Sequence, residues 1–108
     1  MVAEQSYRLT KRFPKEEVYG MTSQIRRAAV SVAANIAEGH GRENSGSFVQ
    51  FLRMAQGSLK ELETHLMLAS RVGILLAKEI EPLCQKCDEL GRMLRSLIRS
   101  IQRKQAND

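Results

Sequence analysis

The chain has 108 residues, a length that predicts a single domain over residues 1–108. Hydrophobic residues make up 43% of it, which argues against a chain that is disordered by composition. Only 5% of the residues are aromatic, and the helix formers Ala, Leu, Arg, Lys, Glu and Gln dominate, which predicts an all-α protein. No apolar stretch is typical of a signal peptide or reaches transmembrane length, so we expect a cytoplasmic protein with reduced thiols and no membrane contact.

The positive charge lies mainly at one end of the chain. The formal net charge is +5 and the isoelectric point is about 9.6. Asp108 is the single acidic residue after position 91, whereas the basic residues there are Arg92, Arg95, Arg99, Arg103 and Lys104. A basic end of this kind is typical of proteins with an anionic partner such as nucleic acid.

The first two predicted helices meet at Phe13-Pro14. A short first helix ends near Arg12, because the residue before a proline is disfavoured in the α region. The second helix is predicted from Lys15 to Glu38, with Pro14 at its start and acidic residues in its first turn. Its apolar positions recur at intervals of three and four residues, which predicts one buried stripe: Val18, Met21, Ile25, Ala28, Val32 and Ile36.

The third helix is predicted from Ser45 to Val72. An unbroken heptad pattern of apolar residues indicates its buried stripe: Phe48, Leu52, Ala55, Leu59, Leu62, Leu66 and Ala69. Gly57 lies inside this helix and is predicted to mark a close helix contact, because an interior glycine costs roughly 1 kcal/mol relative to alanine. Gly73 is predicted to end the helix in the left-handed conformation.

The fourth helix is predicted from about Ala77 to Arg103, with Pro82 in its first two turns, where proline is tolerated. The connections between the helices are short, so sequential helices are expected to run antiparallel. The predicted fold is therefore an up-down four-helix bundle with a short first helix.

The segment 35–48, NIAEGHGRENSGSF, is the most unusual stretch of the chain. It resembles a phosphate-binding loop in its glycines but lacks both a preceding strand and a Gly-Lys-Ser/Thr ending. The favoured interpretation is a helix connection, in which Gly39 or Gly41 ends one helix in the left-handed conformation and Asn44 or Ser45, preferably Ser45, caps the next. A pocket lined by Asn35, Glu38, His40 and Arg42 would instead favour an enzyme.

Glu38 is predicted to need a cationic partner. A carboxylate near a helix C-terminus is destabilising by roughly 0.3–1 kcal/mol, because the helix dipole is negative at that end. Arg42 is the nearest candidate, and arginines of packed helices are alternatives. We therefore expect a structural polar network that contains Asn35, Glu38, Arg42 and Arg53.

Cys84 and Cys87 have the CxxC spacing but lie on the apolar stripe of a predicted helix rather than after a strand. Buried thiols are therefore the favoured interpretation over a redox pair or a zinc site. A zinc site would need further ligands, and only His40 and His65 are available. No catalytic residue, metal site or cofactor is predicted.

The arginines are the main candidates for a binding surface. Arg92, Arg95, Arg99 and Arg103 recur every three or four residues along one side of the last helix, and Arg26 and Arg27 lie midway along the second. Arginine favours bidentate contact with phosphate. The alternatives are electrostatic contact with RNA or DNA, with weak sequence preference, and solvated faces that keep the protein soluble.

Several segments resemble the bacterial four-helix bundle family that is named after proteins encoded in intervening sequences of 23S ribosomal RNA genes. These segments are residues 7–20 (YRLTKRFPKEEVYG), 22–31 (TSQIRRAAVS), 35–39 (NIAEG), Arg42 and residues 51–63 (FLRMAQGSLKELE). The resemblance implies a left-handed bundle, a homopentamer and no known enzymatic activity. It also extends to the accessory variability protein of diversity-generating retroelements, a basic pentamer that binds nucleic acid.

Two departures from the family pattern bear on these expectations. Few residues precede Tyr7, whereas the family usually has a longer first helix, so we expect either a truncated first helix or a misassigned start of the chain. Ser47 stands where an acidic residue often precedes the aromatic residue of the third helix. The functional expectation is a non-enzymatic oligomeric scaffold that binds nucleic acid through a basic surface. The alternative is a scaffold that binds an acidic partner protein and has no nucleic-acid role.

Overall fold

A computed structural model describes residues 1–15 and 18–107. Within these residues the chain is all-helical and forms four α-helices, which confirms the predicted fold class. They are α1 (Val2–Thr10), α2 (Ser23–His40), α3 (Ser45–Arg71) and α4 (Ala77–Asn107), with a π-helical turn at Val18–Thr22. Glu16 and Glu17, which were predicted to begin the second helix, lie outside the described residues.

The second helix begins later than the pattern of apolar residues predicts. Gly20 has non-helical backbone angles (φ −101°, ψ −109°), so the helical run is interrupted there and α2 proper starts at Ser23. The prediction of one helix from Lys15 was therefore wrong, because apolar spacing continued through a glycine at which the backbone turns away from the α conformation.

Contacts between helices show that sequential neighbours are antiparallel. Moving along α2 from Arg27 through Ser31 to Gly39, the α3 partners run backwards from Glu61 through Ser58 to Phe48. α3 and α4 are related in the same way, and α1 packs against both α2 and α4. The bundle is thus up-down, but α1 spans about 14 Å and α4 about 46 Å.

The core follows the apolar stripes predicted from the sequence. Ile25, Leu52, Leu62, Leu66 and Cys87 are 0% exposed. In α3 every predicted stripe residue is buried except Phe48, which is half-buried against the core.

The two ends of α3 are fixed by local hydrogen bonds. Asn44 is its N-cap, since the Asn44 side chain accepts a hydrogen bond from the Ser47 backbone N–H at 3.0 Å. The preferred Ser45 is therefore already inside the helix. At the other end, Gly73 has φ +83°, as predicted, and the N–H groups of Gly73 and Ile74 donate to the carbonyls of Ser70 and Ala69.

Two glycines differ from their predicted roles. Gly41 ends α2 with φ −79° and Gly39 lies inside α2, so neither adopts the left-handed conformation. Gly39 instead permits close packing, because an added Cβ would lie 2.9 Å from Phe48 Cδ1 and 3.2 Å from Phe51 Cβ. Gly57 was predicted to mark a close contact, but outside the backbone of its own helix no atom of the described residues lies within 4 Å of such a Cβ.

Candidate nucleic-acid interface

The segment 35–48 does not form the pocket that an enzyme would need. Arg42 Nη2 lies 3.1 Å from Glu38 Oε2, and its guanidinium lies 4.8 Å from the centre of the Phe51 ring. These two residues border a shallow, open depression with Ala34, Ala37 and Gly41. His40 instead packs against Phe48, with ring centres 5.0 Å apart, so the residues proposed for an enzyme site do not converge.

The residues of the predicted polar network fall into three separate places. Glu38 contacts Arg42, as described above. Asn35 donates hydrogen bonds to the Ser31 carbonyl at 2.9 Å and to Ser31 Oγ at 3.2 Å. Ser31 Oγ is in turn 2.7 Å from Ser58 Oγ, so this group joins α2 to α3. Arg53 belongs to neither group and lies in a cleft farther along the bundle.

The two cysteines are free thiols on the core side of α4. Cys87 is 0% exposed, and burial, with a smaller effect of Glu63, raises the pKa of its thiol to about 12. Burial also raises the pKa of the half-buried Cys84. Thiols whose pKa is raised stay protonated at neutral pH and are poor nucleophiles.

The arginines of α2 that were predicted to bind nucleic acid are engaged within the bundle. Arg26 Nε donates to Thr10 Oγ1 at 2.8 Å, and its guanidinium lies 4.6 Å from the centre of the Tyr7 ring. Arg27 Nη2 lies 2.6 Å from Gln24 Oε1 and 3.5 Å from Glu61 Oε1. Arg26 thus ties α2 to α1, and Arg27 ties α2 to α3.

The arginines of α4 are arranged differently. Arg92, Arg95, Arg99 and Arg103, which we name the basic stripe, are all exposed along one side of the helix. Arg92 Nη2 pairs with Asp88 Oδ2 at 2.7 Å, one turn earlier. Within residues 1–15 and 18–107, the side chains of the other three form no hydrogen bond and have no carboxylate within 4.0 Å.

The α3 side of this surface was not predicted from the sequence. A cleft between α3 and α4 is lined by Arg53 and Gln56 on α3, and its α4 side consists of Arg95, Ile98, Arg99 and Gln102. Arg53 also has no ion-pair or hydrogen-bond partner among the described residues. The antiparallel pairing of α3 with α4 could have been used to find it, because that pairing brings the start of α3 beside the end of α4.

A second surface feature is an apolar groove between α2 and α4, which continues beyond the N-terminus of α1. Its cavity volume is about 390 Å³, and its walls are apolar apart from Lys86 and Glu89. Met93, on its α4 side, is 66% exposed. α1 is about a third as long as α4, and its first residues, Val2 and Ala3, line one end of this groove.

Comparison with protein families identifies the chain. The model of the family described as 23S rRNA-intervening sequence protein matches residues 1–96. The chain belongs to this family. A comparison with curated proteins found no match.

A solved structure has the same fold. It is the crystal structure, at 1.70 Å resolution, of a protein from Bacteroides thetaiotaomicron VPI-5482. That protein belongs to the S23 ribosomal protein family and has an unknown function. The two chains are 23% identical, with a TM-score of 0.76, over 91% of this chain and 98% of that one. In the part of this family member that the structure describes, no helix is long and apolar enough to cross a membrane.

Proposed function

We propose that this family member is a non-enzymatic, oligomeric scaffold that contacts nucleic acid through the basic stripe on α4. The proposal rests on the side chains of Arg95, Arg99 and Arg103, which are exposed and have no acidic partner among the described residues. Arg8, Arg12 and Arg27 give a useful contrast, because each of them lies within 4.0 Å of a carboxylate.

Electrostatic contact with backbone phosphates is the mode that these residues favour. A guanidinium donates two parallel hydrogen bonds to a phosphate and keeps its charge at any physiological pH. Among the described residues, no aromatic side chain on which a base could stack lines the cleft or belongs to the basic stripe. Binding of this kind releases counterions, so affinity falls steeply as salt rises and depends little on base sequence.

The apolar groove supports the oligomeric part of the proposal. Contiguous exposed apolar surface on a soluble protein commonly marks an interaction site. The pentamer implied by the family resemblance is the assembly that we propose. Light scattering coupled to size exclusion should give a mass about five times the 12.2 kDa of one chain. A monomeric mass at all concentrations would contradict it.

Binding of the protein to labelled RNA and DNA across a salt series tests the nucleic-acid role. The wild type should bind at low salt, and the logarithm of its association constant should fall linearly with the logarithm of the salt concentration. The combined charge reversal R92E, R95E and R99E should weaken binding without changing the helical circular dichroism. No binding at low salt, or binding that does not respond to salt, would refute this role. Copurification of a defined acidic protein after nuclease treatment would then favour the protein-interaction alternative.

A further inference from the structure

Acidic residues are missing from one end of the α3–α4 pair. Residues 45–60 of α3 and residues 90–107 of α4 contain no Asp or Glu. These two segments lie side by side, since a Cβ on Gly91 would be 3.6 Å from Leu59 Cδ2 and one on Gly46 would be 3.9 Å from Gln105 Nε2. Their basic residues are Arg53, Lys60, Arg92, Arg95, Arg99, Arg103 and Lys104.

Three of these arginines line one cleft. Arg53 lines it from α3, and Arg95 and Arg99 line it from α4. The buried side chain of Ile98 contributes to the cleft between them, at 4% exposure. Arg95 Nη1 is 3.7 Å from the position that a Cβ on Gly91 would occupy, so this side chain lies back along α4.

The cleft concentrates positive charge without internal compensation. Lys60 and Arg92 are close to carboxylates outside the two acid-free segments, at Glu63 and Asp88. Arg53, Arg95 and Arg99 have no such neighbour among the described residues. Like charges that share a cleft repel each other, and a bound anion would remove that repulsion.

The neutral side chains of the cleft are also suited to a phosphate. Gln56 and Gln102 each carry an NH₂ group that can donate to a non-bridging phosphate oxygen without adding charge. Gln56 stands one turn after Arg53 on α3, and Gln102 stands one turn after Arg99 on α4. Each helix therefore contributes an arginine and a glutamine to the lining of the same cleft.

We propose that Arg53, Arg95 and Arg99, together with Gln56 and Gln102, form a discrete binding site for one backbone phosphodiester of a nucleic acid. The proposal rests on the proposed function and deepens it, since it adds Arg53 on α3 to a surface that otherwise belongs to α4. In this site α3 and α4 hold the phosphate from two sides.

The test compares R53Q with R71Q, a matched control. Both substitutions remove one positive charge from α3, but Arg71 lies about 27 Å farther along the helix, at its C-terminal end. The probes are a 20-base-pair DNA duplex and a 20-nucleotide RNA, each titrated over a salt series. At 0.1 M salt R53Q should bind the DNA about eightfold and the RNA about fivefold more weakly, with salt slopes shallower by about 0.9 and about 0.7, whereas R71Q should resemble the wild type.

A third variant separates geometry from charge. R53K should restore the salt slope while leaving affinity below that of the wild type, because lysine keeps the charge but lacks the bidentate guanidinium. Polyglutamate serves as an anion without phosphate, and its binding should be affected much less by R53Q.

The outcomes distinguish this site from the broader function. If the wild type binds neither nucleic acid, the proposed function itself fails. If the wild type binds but R53Q matches it, or R53Q and R71Q weaken binding equally, the discrete site is refuted while binding by the basic stripe stands. Equal effects of R53Q on polyglutamate and nucleic acid would overturn the assignment to phosphate.

Discussion

The same substitution at two helical glycines should change stability in opposite directions. Gly39 lies near the end of α2 against Phe48 and Phe51, and Gly57 lies in the middle of α3, where no other described residue would contact an added Cβ. Alanine is favoured over glycine inside a helix by roughly 0.5–1 kcal/mol. At Gly57 nothing opposes this gain, so we expect G57A to stabilise the fold by about that amount.

At Gly39 the same gain is opposed by a steric clash. The new Cβ would lie 2.9 Å from Phe48 Cδ1 and 3.2 Å from Phe51 Cβ, so the ring and the α3 backbone must move. Overpacking of this kind costs typically about 1–3 kcal/mol. After subtraction of the propensity gain, G39A should destabilise the fold by up to about 2 kcal/mol.

Urea and thermal denaturation followed by helical circular dichroism measure both effects. For a domain of this size, 1 kcal/mol corresponds to a midpoint shift of about 4–8 °C. The measurement is repeated at several protein concentrations to separate folding from assembly. A stabilised G39A, or a G57A that is destabilised at all concentrations, would refute the packing argument.

Three further predictions concern the helix cap and the thiols. N44A should lose about 0.5–2 kcal/mol of unfolding free energy because it removes the N-cap of α3, whereas S45A should change the unfolding free energy little. Equal losses of unfolding free energy in the two variants, measured by denaturation, would contradict the assignment of Asn44 as the cap. In the native protein, iodoacetamide should modify Cys84 faster than Cys87, which is 0% exposed, and mass mapping of the alkylated peptides would show the order. The pKa of Cys87 is higher in the folded state than in the unfolded state, so the stability that this thiol contributes is complete below about pH 9 and falls as pH rises toward 12. C87A should therefore lose less stability over this pH range than the wild type. Identical profiles of stability against pH for the two proteins would contradict the raised pKa.

The fold was largely predictable because its determinants are local. Apolar spacings of three and four residues are a property of the chain itself, and they identified α3, α4 and most of the core correctly. The left-handed Gly73 was also predictable, since only one residue type adopts that conformation without strain. Gly20 shows the limit, because apolar spacing alone does not reveal where the backbone leaves the helix.

The candidate site depended on which helices become neighbours. The sequence by itself determined that α4 carries a row of arginines and that acidic residues are missing from its second half. Only the tertiary structure placed Arg26 and Arg27 in contacts within the bundle and brought Arg53 beside Arg95 and Arg99. An arginine that will meet a carboxylate and one that will face solvent look the same in a sequence, because their environment comes from residues distant along the chain.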